Sequence, residues 1–217
     1  MPDSVTVKEL FDDWARRGRA EGMERGHTPS ARAAFTRLRL REESRYLDIG
    51  CGNGYSVRWA AAACPKGSAV GVDLSVEMIG RARLLSEGLR NTEFIVADFP
   101  DARFSPASFD AIFSMEAFYY FPDTDAALRR VRELLRAGGL FACVIDFYGE
   151  NIASHSWPAD VGVPMTLLDS AGWAHAVSRA GLAVVEQTRL RLRSDQVALE
   201  ADLWKVTEGS LLTLARR

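Results

Sequence analysis

The sequence predicts an α/β fold in which an open, mostly parallel sheet lies between layers of helices. The first observation is that short apolar runs alternate with stretches of helical periodicity along most of the chain. The second is a glycine-rich turn at residues 50–54, directly between one apolar run and a helical stretch. The third is that each of the next two apolar runs leads to an acidic residue, Asp73 and Asp98.

Length and composition limit the classes of protein to consider. At 217 residues, with 47% hydrophobic and 26% charged side chains, the chain is typical of one globular domain. The net charge of −2 gives no field that would attract nucleic acid or an anionic membrane. The three cysteines lack metal-ligand spacing, and no apolar run suits a membrane helix or signal peptide. We expect a cytoplasmic monomer or homodimer with no metal, no bound nucleic acid and no membrane insertion.

The N-terminal segment is expected to form a helical cap or lid. Residues 6–19 carry apolar side chains at spacings of three and four, as in an amphipathic helix. Three glycines interrupt residues 18–29, which are therefore predicted to be irregular, and residues 31–40 are predicted to form a second helix. This segment would cover either the ligand site or one edge of the sheet. His27, in the irregular stretch, is either a site residue or a solvated loop side chain.

The glycine turn and the two acids after it predict a site for adenosine. Gly50 and Gly52 let the backbone approach a ligand closely, at the start of the helix that follows. The carboxylate of Asp73 would accept hydrogen bonds from both ribose hydroxyls, and Asp98 would bind the adenine amino group. Because the carboxyl ends of parallel strands meet at one edge of a sheet, the two acids are expected to lie side by side.

These motifs resemble those of the class I S-adenosylmethionine-dependent methyltransferases. The first motif of that family, an acid followed by G-x-G-x-G, is similar to residues 48–54. The ribose-binding acid of the family corresponds to Asp73, and its adenine-contacting pair corresponds to Asp98 and Phe99.

The resemblance continues through two further motifs. The fourth strand of the family is similar to residues 109–114, and its Leu-Arg-Pro-Gly-Gly turn is similar to residues 135–139. Ala137 replaces the proline of that turn, a departure that affects only its stiffness. The resemblance extends over residues 46–146. Within the family, the sequence is most similar to the small-molecule branch related to quinone-biosynthesis methyltransferases.

The resemblance implies a Rossmann-like, doubly wound sheet of seven mostly parallel strands with an antiparallel last strand. It also implies S-adenosyl-L-methionine as cofactor and S-adenosyl-L-homocysteine as product. The residues expected to contact the cofactor are Asp48, Gly50, Cys51, Gly52, Asp73, Leu74, Met78, Asp98, Phe99, Ser114 and Met115. The competing interpretation, an NAD(P)-dependent Rossmann oxidoreductase, would need G-x-G-x-x-G, and its third glycine is replaced here by Tyr55.

The ends of the fourth and fifth predicted strands are expected to hold the methyl acceptor. Glu116, Tyr119 and Tyr120 closely follow the fourth strand. His155 lies in a long loop after the fifth strand and is the candidate general base, because the ordinary pKa of histidine is near neutrality. It could equally be a solvated loop residue. We expect a small-molecule acceptor, since residues 114–117 lack the Asn/Asp-Pro-Pro-Tyr of DNA amino-methyltransferases.

The chain is predicted to be one methyltransferase domain of three parts. Residues 1–42 form the cap or lid, residues 43–146 the cofactor-binding core, and residues 147–217 the acceptor loop and C-terminal strands. Two other functions stay open: a protein that binds S-adenosylmethionine without turnover, and a partner-dependent subunit that methylates a protein or RNA. A pocket that joins cofactor and acceptor would favour the enzyme, and a large exposed apolar surface near the rim would favour the partner-dependent subunit.

Overall fold

The computed structural model describes residues 5–197 and 202–217. Seven strands follow one another as β1 (Arg45–Ile49), β2 (Ser68–Asp73), β3 (Thr92–Val96), β4 (Phe109–Met115), β5 (Leu135–Ile145), β6 (Ala183–Leu190) and β7 (Ser210–Arg216). The helices are α1 (Val7–Arg16), α2 (Ala20–Arg37), α3 (Tyr55–Ala63), α4 (Val76–Leu85), α5 (Thr124–Leu134), α6 (Trp157–Val161), α7 (Ser170–Arg179) and α8 (Trp204–Thr207). Within these residues, no helix is long and apolar enough to cross a membrane.

The strands form a single sheet in the order β3-β2-β1-β4-β5-β7-β6. The neighbours from β3 to β5 are parallel, and β7 is antiparallel to both β5 and β6. The predicted seven-stranded, mostly parallel sheet with an antiparallel last strand is therefore confirmed. The strand order reverses between β1 and β4, so a crevice lies at their carboxyl ends, where ligands bind in open α/β sheets.

Each face of the sheet is buried against a layer of helices. On one face Leu47 and Ile112 lie in a core with side chains of α5 and α7, such as Leu128 and Trp173. On the other face Tyr46 and the neighbouring strands contact α2, α3 and α4. Adjacent residues of β1 point to opposite cores, as the two-residue period of a strand requires.

The N-terminal helices differ from the prediction. Residues 18–29 were expected to be irregular, but α2 is continuous through Gly22, Gly26 and Pro29. The hydroxyl of Thr28 donates to the carbonyl of Glu24 (2.6 Å), and the C-terminal half of α2 buries small and aromatic side chains against the sheet. Tertiary packing therefore outweighs the weak helix propensity of glycine and proline here.

The fifth strand and the loop after it also differ from the prediction. The predicted turn at residues 135–139 belongs to β5, which is paired with β4 already at Leu135. The long loop after β5 contains the short helix α6.

Candidate active site

The loop between β1 and α3 folds back over the end of β2. The N–H groups of Gly50 and Cys51 both donate to the carbonyl of Val72, at 2.9 and 3.1 Å. Gly50 has φ of +70°, and a Cβ at this position would lie 2.5 Å from the Cβ of Ala117. Both the left-handed backbone and the close contact therefore exclude a side chain at Gly50.

Asp73, at the end of β2, joins this turn to the start of α4. Its Oδ2 accepts a hydrogen bond from the Gly52 N–H (2.8 Å), and its Oδ1 accepts one from the Ser75 N–H (2.9 Å). Each carboxylate oxygen has a second lone pair, so the side chain keeps acceptor capacity for a ligand. Burial raises the pKa of Asp73, and the two N–H donors oppose that shift.

A cavity of about 240 Å³ lies over the carboxyl ends of β1, β2 and β4. All but one of the residues predicted to contact the cofactor line it. They are Asp48, Gly50, Cys51, Gly52, Asp73, Leu74, Met78, Asp98, Phe99 and Met115. The exception is Ser114, which is fully buried and donates its hydroxyl hydrogen to the carbonyl of Ile49 at 2.9 Å. Ser114 thus joins β4 to β1 beneath the cavity.

Asp48 supports the glycine turn from below. It is buried and accepts a hydrogen bond from the Ser56 hydroxyl, which in turn accepts one from the Tyr46 hydroxyl (2.9 Å). Burial, aided by the nearby Asp73 carboxylate, raises the pKa of Asp48 to about 8. The chain of hydrogen bonds holds β1 against the first turn of α3.

Glu116 follows β4 directly and lines the cavity. Its backbone has φ of +57°, an uncommon conformation for a residue with a side chain, and such strain is often found at functional sites. The carboxylate accepts hydrogen bonds from the Tyr119 hydroxyl (2.8 Å) and from the Asp146 N–H. Burial and the charge of Asp146 raise the pKa of Glu116. Glu116 is therefore held in one position at the floor of the cavity.

The other predicted acceptor residues lie in different places. Tyr120 lines the cavity, and its ring meets Phe11 of α1 edge-on at a centroid distance of 5.3 Å. Tyr119 is buried behind it and holds Glu116. His155 is exposed outside the cavity, with its Nε2 3.1 Å from the carbonyl of Gly149. The structure therefore brings Glu116 and Tyr120 together but leaves His155 apart.

The two N-terminal helices, α1 and α2, form the roof of the cavity, and we call them the lid. On α2 the lining residues Ala20, Met23, Glu24 and His27 are spaced as one helical face. Burial, together with the charge of Lys205, lowers the pKa of His27 to about 4, so its imidazole is neutral near pH 7. The sequence had suggested His27 only as one of two alternatives, and the inward face of the lid was missed.

Polar contacts attach the lid to the cofactor side of the cavity. Asp12 of α1 is buried and accepts hydrogen bonds from the Ser75 hydroxyl (2.6 Å) and the Glu77 N–H (3.2 Å) at the start of α4. Glu24 of α2 accepts a hydrogen bond from the Asn53 side chain at 2.7 Å. Burial raises the pKa of Asp12, but the hydrogen bonds from Lys8 and Ser75 outweigh it and lower the pKa overall.

Two features bear on what the cavity can hold. Asn53 lines the cavity, and its buried Oδ1 atom has no hydrogen-bond partner among the described residues, so it can accept a hydrogen bond from a ligand. A Cβ added at Gly52 would meet no atom of the described part of the chain within 4 Å, so the turn leaves room for a ligand. Among the described residues, no group of three or more His, Cys, Asp or Glu side chains could hold a metal ion.

Comparison with known proteins identifies the family. A family model described as a methyltransferase domain matches residues 47–139. In a solved complex with the Trm112 methyltransferase activator of Haloferax volcanii, the chain described as a methyltransferase is 33% identical to this one. It superimposes with a TM-score of 0.87, covering 95% of this chain and 96% of that one. The chain belongs to the class I S-adenosylmethionine-dependent methyltransferases. Its cofactor is S-adenosylmethionine, and the comparisons lend no support to a nicotinamide-dependent oxidoreductase.

Two further relatives of this methyltransferase differ in what they share with it. Sterol 24-C-methyltransferase of Pneumocystis carinii is 28% identical over 182 residues, covering 77% of this chain and 48% of the relative. The chain spans about half the length, or less, of the curated relatives that it matches. A Burkholderia thailandensis N-methyltransferase, solved with 1,6-didemethyltoxoflavin and S-adenosylhomocysteine, has a TM-score of 0.74 at 19% identity. The alignment covers 97% of this chain and 87% of the Burkholderia protein, and at this identity it shows that the two share a fold.

Proposed function

We propose that the cavity transfers a methyl group from S-adenosylmethionine to a small-molecule acceptor. The observation that carries this proposal is that one cavity has two chemically different halves. Asp73 and Asp98 lie on the side of β2 and β3, whereas Phe11 of the lid, with Tyr120 and Phe121 after β4, provides aromatic surface. A polar nucleoside and a second, more apolar molecule could therefore be held next to each other. The Burkholderia relative, solved with a small-molecule acceptor, supports this class.

The residues of the polar half fit the parts of S-adenosylmethionine. We assign the ribose hydroxyls to the remaining lone pairs of Asp73 and the adenine amino group to Asp98. Leu74, Met78 and Phe99 offer apolar surface to the adenine ring. The cofactor supplies a methyl group already activated by a positively charged sulfur.

The residues of this chain have three tasks in such a reaction. They align the acceptor atom with the methyl carbon, exclude water, and take up a proton if the acceptor carries one. The acceptor atom forms its bond to the methyl carbon as the carbon–sulfur bond breaks, and that electron pair stays on sulfur. We assign the proton to His27, because its imidazole lines the cavity. Its pKa of about 4 keeps the ring unprotonated near pH 7 and makes it a weaker base than an ordinary histidine. Glu116 and Tyr120 would orient the acceptor.

The experiment is methyl transfer from S-adenosylmethionine with a deuterated methyl group to a panel of small aromatic alcohols, phenols and amines. Mass spectrometry detects the labelled methyl group on the product. His27→Asn and His155→Asn are compared, since both remove an imidazole, one inside the cavity and one exposed outside it. With an acceptor that must lose a proton, His27→Asn is expected to lower kcat by roughly 100-fold or more without changing the affinity for S-adenosylhomocysteine.

The results of these assays decide which histidine takes up the proton and whether the acceptor is a small molecule. An unchanged kcat in the His27 variant, together with a loss in the His155 variant, would return the base role to the exposed loop. Binding of S-adenosylhomocysteine without transfer to any acceptor of the panel, both alone and with a Trm112-type activator added, would contradict the small-molecule proposal.

One comparison favours a methyltransferase that depends on a partner protein. The Haloferax relative, which aligns over almost the whole chain, was solved together with a methyltransferase activator. We therefore also propose that this methyltransferase works with an activator protein of the Trm112 type. Its activity would rise when that activator is added and would be low without it.

A further inference from the structure

One carboxylate of the lid reaches into the cavity. Among the described residues that line the cavity, Glu24 is the only acid that belongs to α1 or α2. Its Oε2 accepts a hydrogen bond from the side-chain amide of Asn53 (2.7 Å), and its Oε1 lies 3.3 Å from the guanidinium of Arg58 on α3. Arg58 also donates to the backbone carbonyl of Asn53 at 2.6 Å. An amide and a guanidinium therefore hold a carboxylate of the lid against the glycine turn.

The lid has a second glutamate that allows a direct comparison. Glu21 lies three residues before Glu24 on α2, and its carboxylate accepts a hydrogen bond from Arg81 of α4. The side chains of the two glutamates are almost equally exposed, by 29% for Glu21 and 27% for Glu24. Glu21 does not line the cavity. One of these ion pairs thus attaches the lid outside the ligand site, and the other lies within it.

The side chain of Asn53 is only half used. The residue is 3% exposed and lines the cavity. Its Nδ2 faces the Glu24 carboxylate, which accepts hydrogen bonds, so the orientation of the amide is fixed. Its Oδ1 is buried and has no hydrogen-bond partner within the described part of the chain. Asn53 therefore presents one donor that is occupied by the lid and one acceptor that is available to a ligand.

These groups lie next to the position assigned to the ribose. Asn53 directly follows Gly52, whose N–H donates to Asp73 at 2.8 Å. The amino-acid group of S-adenosylmethionine is connected through the sulfur to this ribose and carries one ammonium and one carboxylate. An ammonium needs an acceptor such as the Oδ1 of Asn53, and a carboxylate needs donors such as its Nδ2 and Arg58. The turn therefore contains partners for both charged groups.

The cavity offers a carboxylate few other partners. Among the described residues that line it, Lys8 is the only lysine or arginine. The Nζ of Lys8 is already paired with Asp12 at 2.5 Å, and Asp12 is bonded to Ser75 at the start of α4. The start of α3, by contrast, carries Arg58 and the positive end of the helix dipole. A ligand carboxylate is therefore directed to the place that Glu24 occupies.

We propose that Asn53 and Arg58 bind the amino-acid group of the cofactor, and that Glu24 of the lid occupies the carboxylate half of this site until the cofactor displaces it. This inference rests on the proposed function, because it concerns the same cavity and its cofactor. Two carboxylates at one amide and one guanidinium repel each other, so Glu24 lowers the affinity for a ligand that carries a carboxylate. A nucleoside without the amino-acid group meets no such competition.

The arrangement also gives the empty cavity a stable form. Without an acceptor, the donors of Asn53 and Arg58 would lose favourable hydrogen bonds, and Glu24 supplies that acceptor while the cofactor is absent. When the carboxylate of the cofactor takes over both donors, the bond between α2 and the start of α3 is lost. Glu21 still bonds α2 to α4. The lid thus responds to the cofactor at Glu24 and stays attached at Glu21.

The test compares two ligands by calorimetry. S-adenosylhomocysteine carries the amino-acid group, and 5′-methylthioadenosine is the same thionucleoside without it. Each is titrated into the wild type, Glu24→Gln and Arg58→Ala, and into the matched control Glu21→Gln. All titrations are made with and without Haloferax volcanii Trm112, and thermal unfolding shows which variants are folded.

The expected results have opposite signs for the two site variants. Glu24→Gln should bind S-adenosylhomocysteine roughly fivefold or more tightly than the wild type, because the competing charge is removed. Arg58→Ala should bind it roughly tenfold or more weakly, because a charged donor is lost. Neither variant should change the affinity for 5′-methylthioadenosine by more than about twofold. Glu21→Gln should leave the affinities for both ligands near those of the wild type.

Two results would overturn the proposal. Unchanged or weaker binding of S-adenosylhomocysteine by Glu24→Gln would make Glu24 a simple attachment of the lid. Equal losses for the two ligands in a folded Arg58→Ala protein would show that Arg58 does not bind the amino-acid group. If Arg58→Ala does not fold, the Glu24→Gln titrations decide. If the wild type binds neither ligand, with or without Trm112, the proposed function fails as well.

Discussion

Replacing Asp73 by asparagine tests the assignment of the ribose. The substitution keeps the size of the side chain and removes its charge. In the native protein both carboxylate oxygens accept a backbone N–H, from Gly52 at 2.8 Å and from Ser75 at 2.9 Å. An asparagine offers one acceptor oxygen and an NH2 group, so one of these N–H groups loses its partner, and the ribose hydroxyls lose their charged acceptor.

The size of the effect follows from these contacts. A hydrogen bond to a charged group contributes about 1.5–3 kcal/mol. Loss of the charged acceptor for the ribose hydroxyls should weaken binding of S-adenosylhomocysteine by about 3 kcal/mol, which is roughly 100-fold in Kd. The lost backbone bond should cost stability about 1 kcal/mol, or about 2–4 °C in Tm for a domain of this size. Because burial raises the pKa of Asp73, removing its charge recovers part of that cost.

Calorimetry with S-adenosylhomocysteine measures the affinity, and thermal unfolding reports whether the variant is folded. Asp101→Asn is the matched control, because Asp101 is an exposed acid near the same rim that does not line the cavity. A folded Asp73→Asn protein that binds the ligand within about threefold of the wild type, against the roughly 100-fold expected, would refute the ribose assignment.

Three further predictions concern the adenine, His27 and the lid. Asp98→Ala should weaken binding of S-adenosylhomocysteine roughly tenfold by calorimetry, whereas Asp101→Ala should not; equal effects would argue against an adenine contact. The pKa of His27 is about 4 in the folded protein, compared with 6.5 for an ordinary histidine. The unfolded chain therefore binds the proton more readily, and the stability of the fold decreases as the pH falls from about 6.5 to about 4. Urea unfolding of His27→Asn should show that fall reduced by about 1–3 kcal/mol; an identical pH dependence would contradict a neutral His27. Asp12 of α1 accepts hydrogen bonds from the start of α4, and Asp12→Ala removes this link between the two helices. Amide exchange in α1 should therefore accelerate roughly 10- to 100-fold, whereas Asp13→Ala should have little effect.

The sheet and its ligand edge are predictable because their signals are local. Helix α4 begins directly after Ser75, a favourable N-cap residue whose hydroxyl accepts a hydrogen bond from the Met78 N–H (3.0 Å). The residues at the strand ends meet because parallel strands have a common carboxyl edge. Asp73 and Asp98 could therefore be placed together without knowledge of any side-chain contact.

The lid could not be predicted in the same way. The inward face of α2 exists only if Gly22 and Gly26 are helical, and that depends on contacts with the sheet that are distant in sequence. The residues Ala20, Met23, Glu24 and His27 do have the spacing i, i+3, i+4, i+7, and reading through the glycines would have revealed it.

The histidines show the limit of reasoning from residue type. His27 and His155 have the same chemistry in the sequence, and both are placed in stretches predicted to be irregular. The structure places one in the cavity roof and the other on the surface, because a continuous helix carries the first over the strand ends. Ser114 and Tyr119 similarly needed the structure, which shows that they support the site from behind.

The proposal that this one cavity holds donor and acceptor beneath the lid is tested most sharply by a crystal structure with bound S-adenosylhomocysteine. We expect the ribose hydroxyls within hydrogen-bonding distance of Asp73 and the adenine amino group at Asp98. The sulfur should lie on the side of Glu116 and Tyr120, next to the aromatic half of the cavity. A nucleoside bound outside the cavity, or turned so that its sulfur points away from Tyr120, would contradict it.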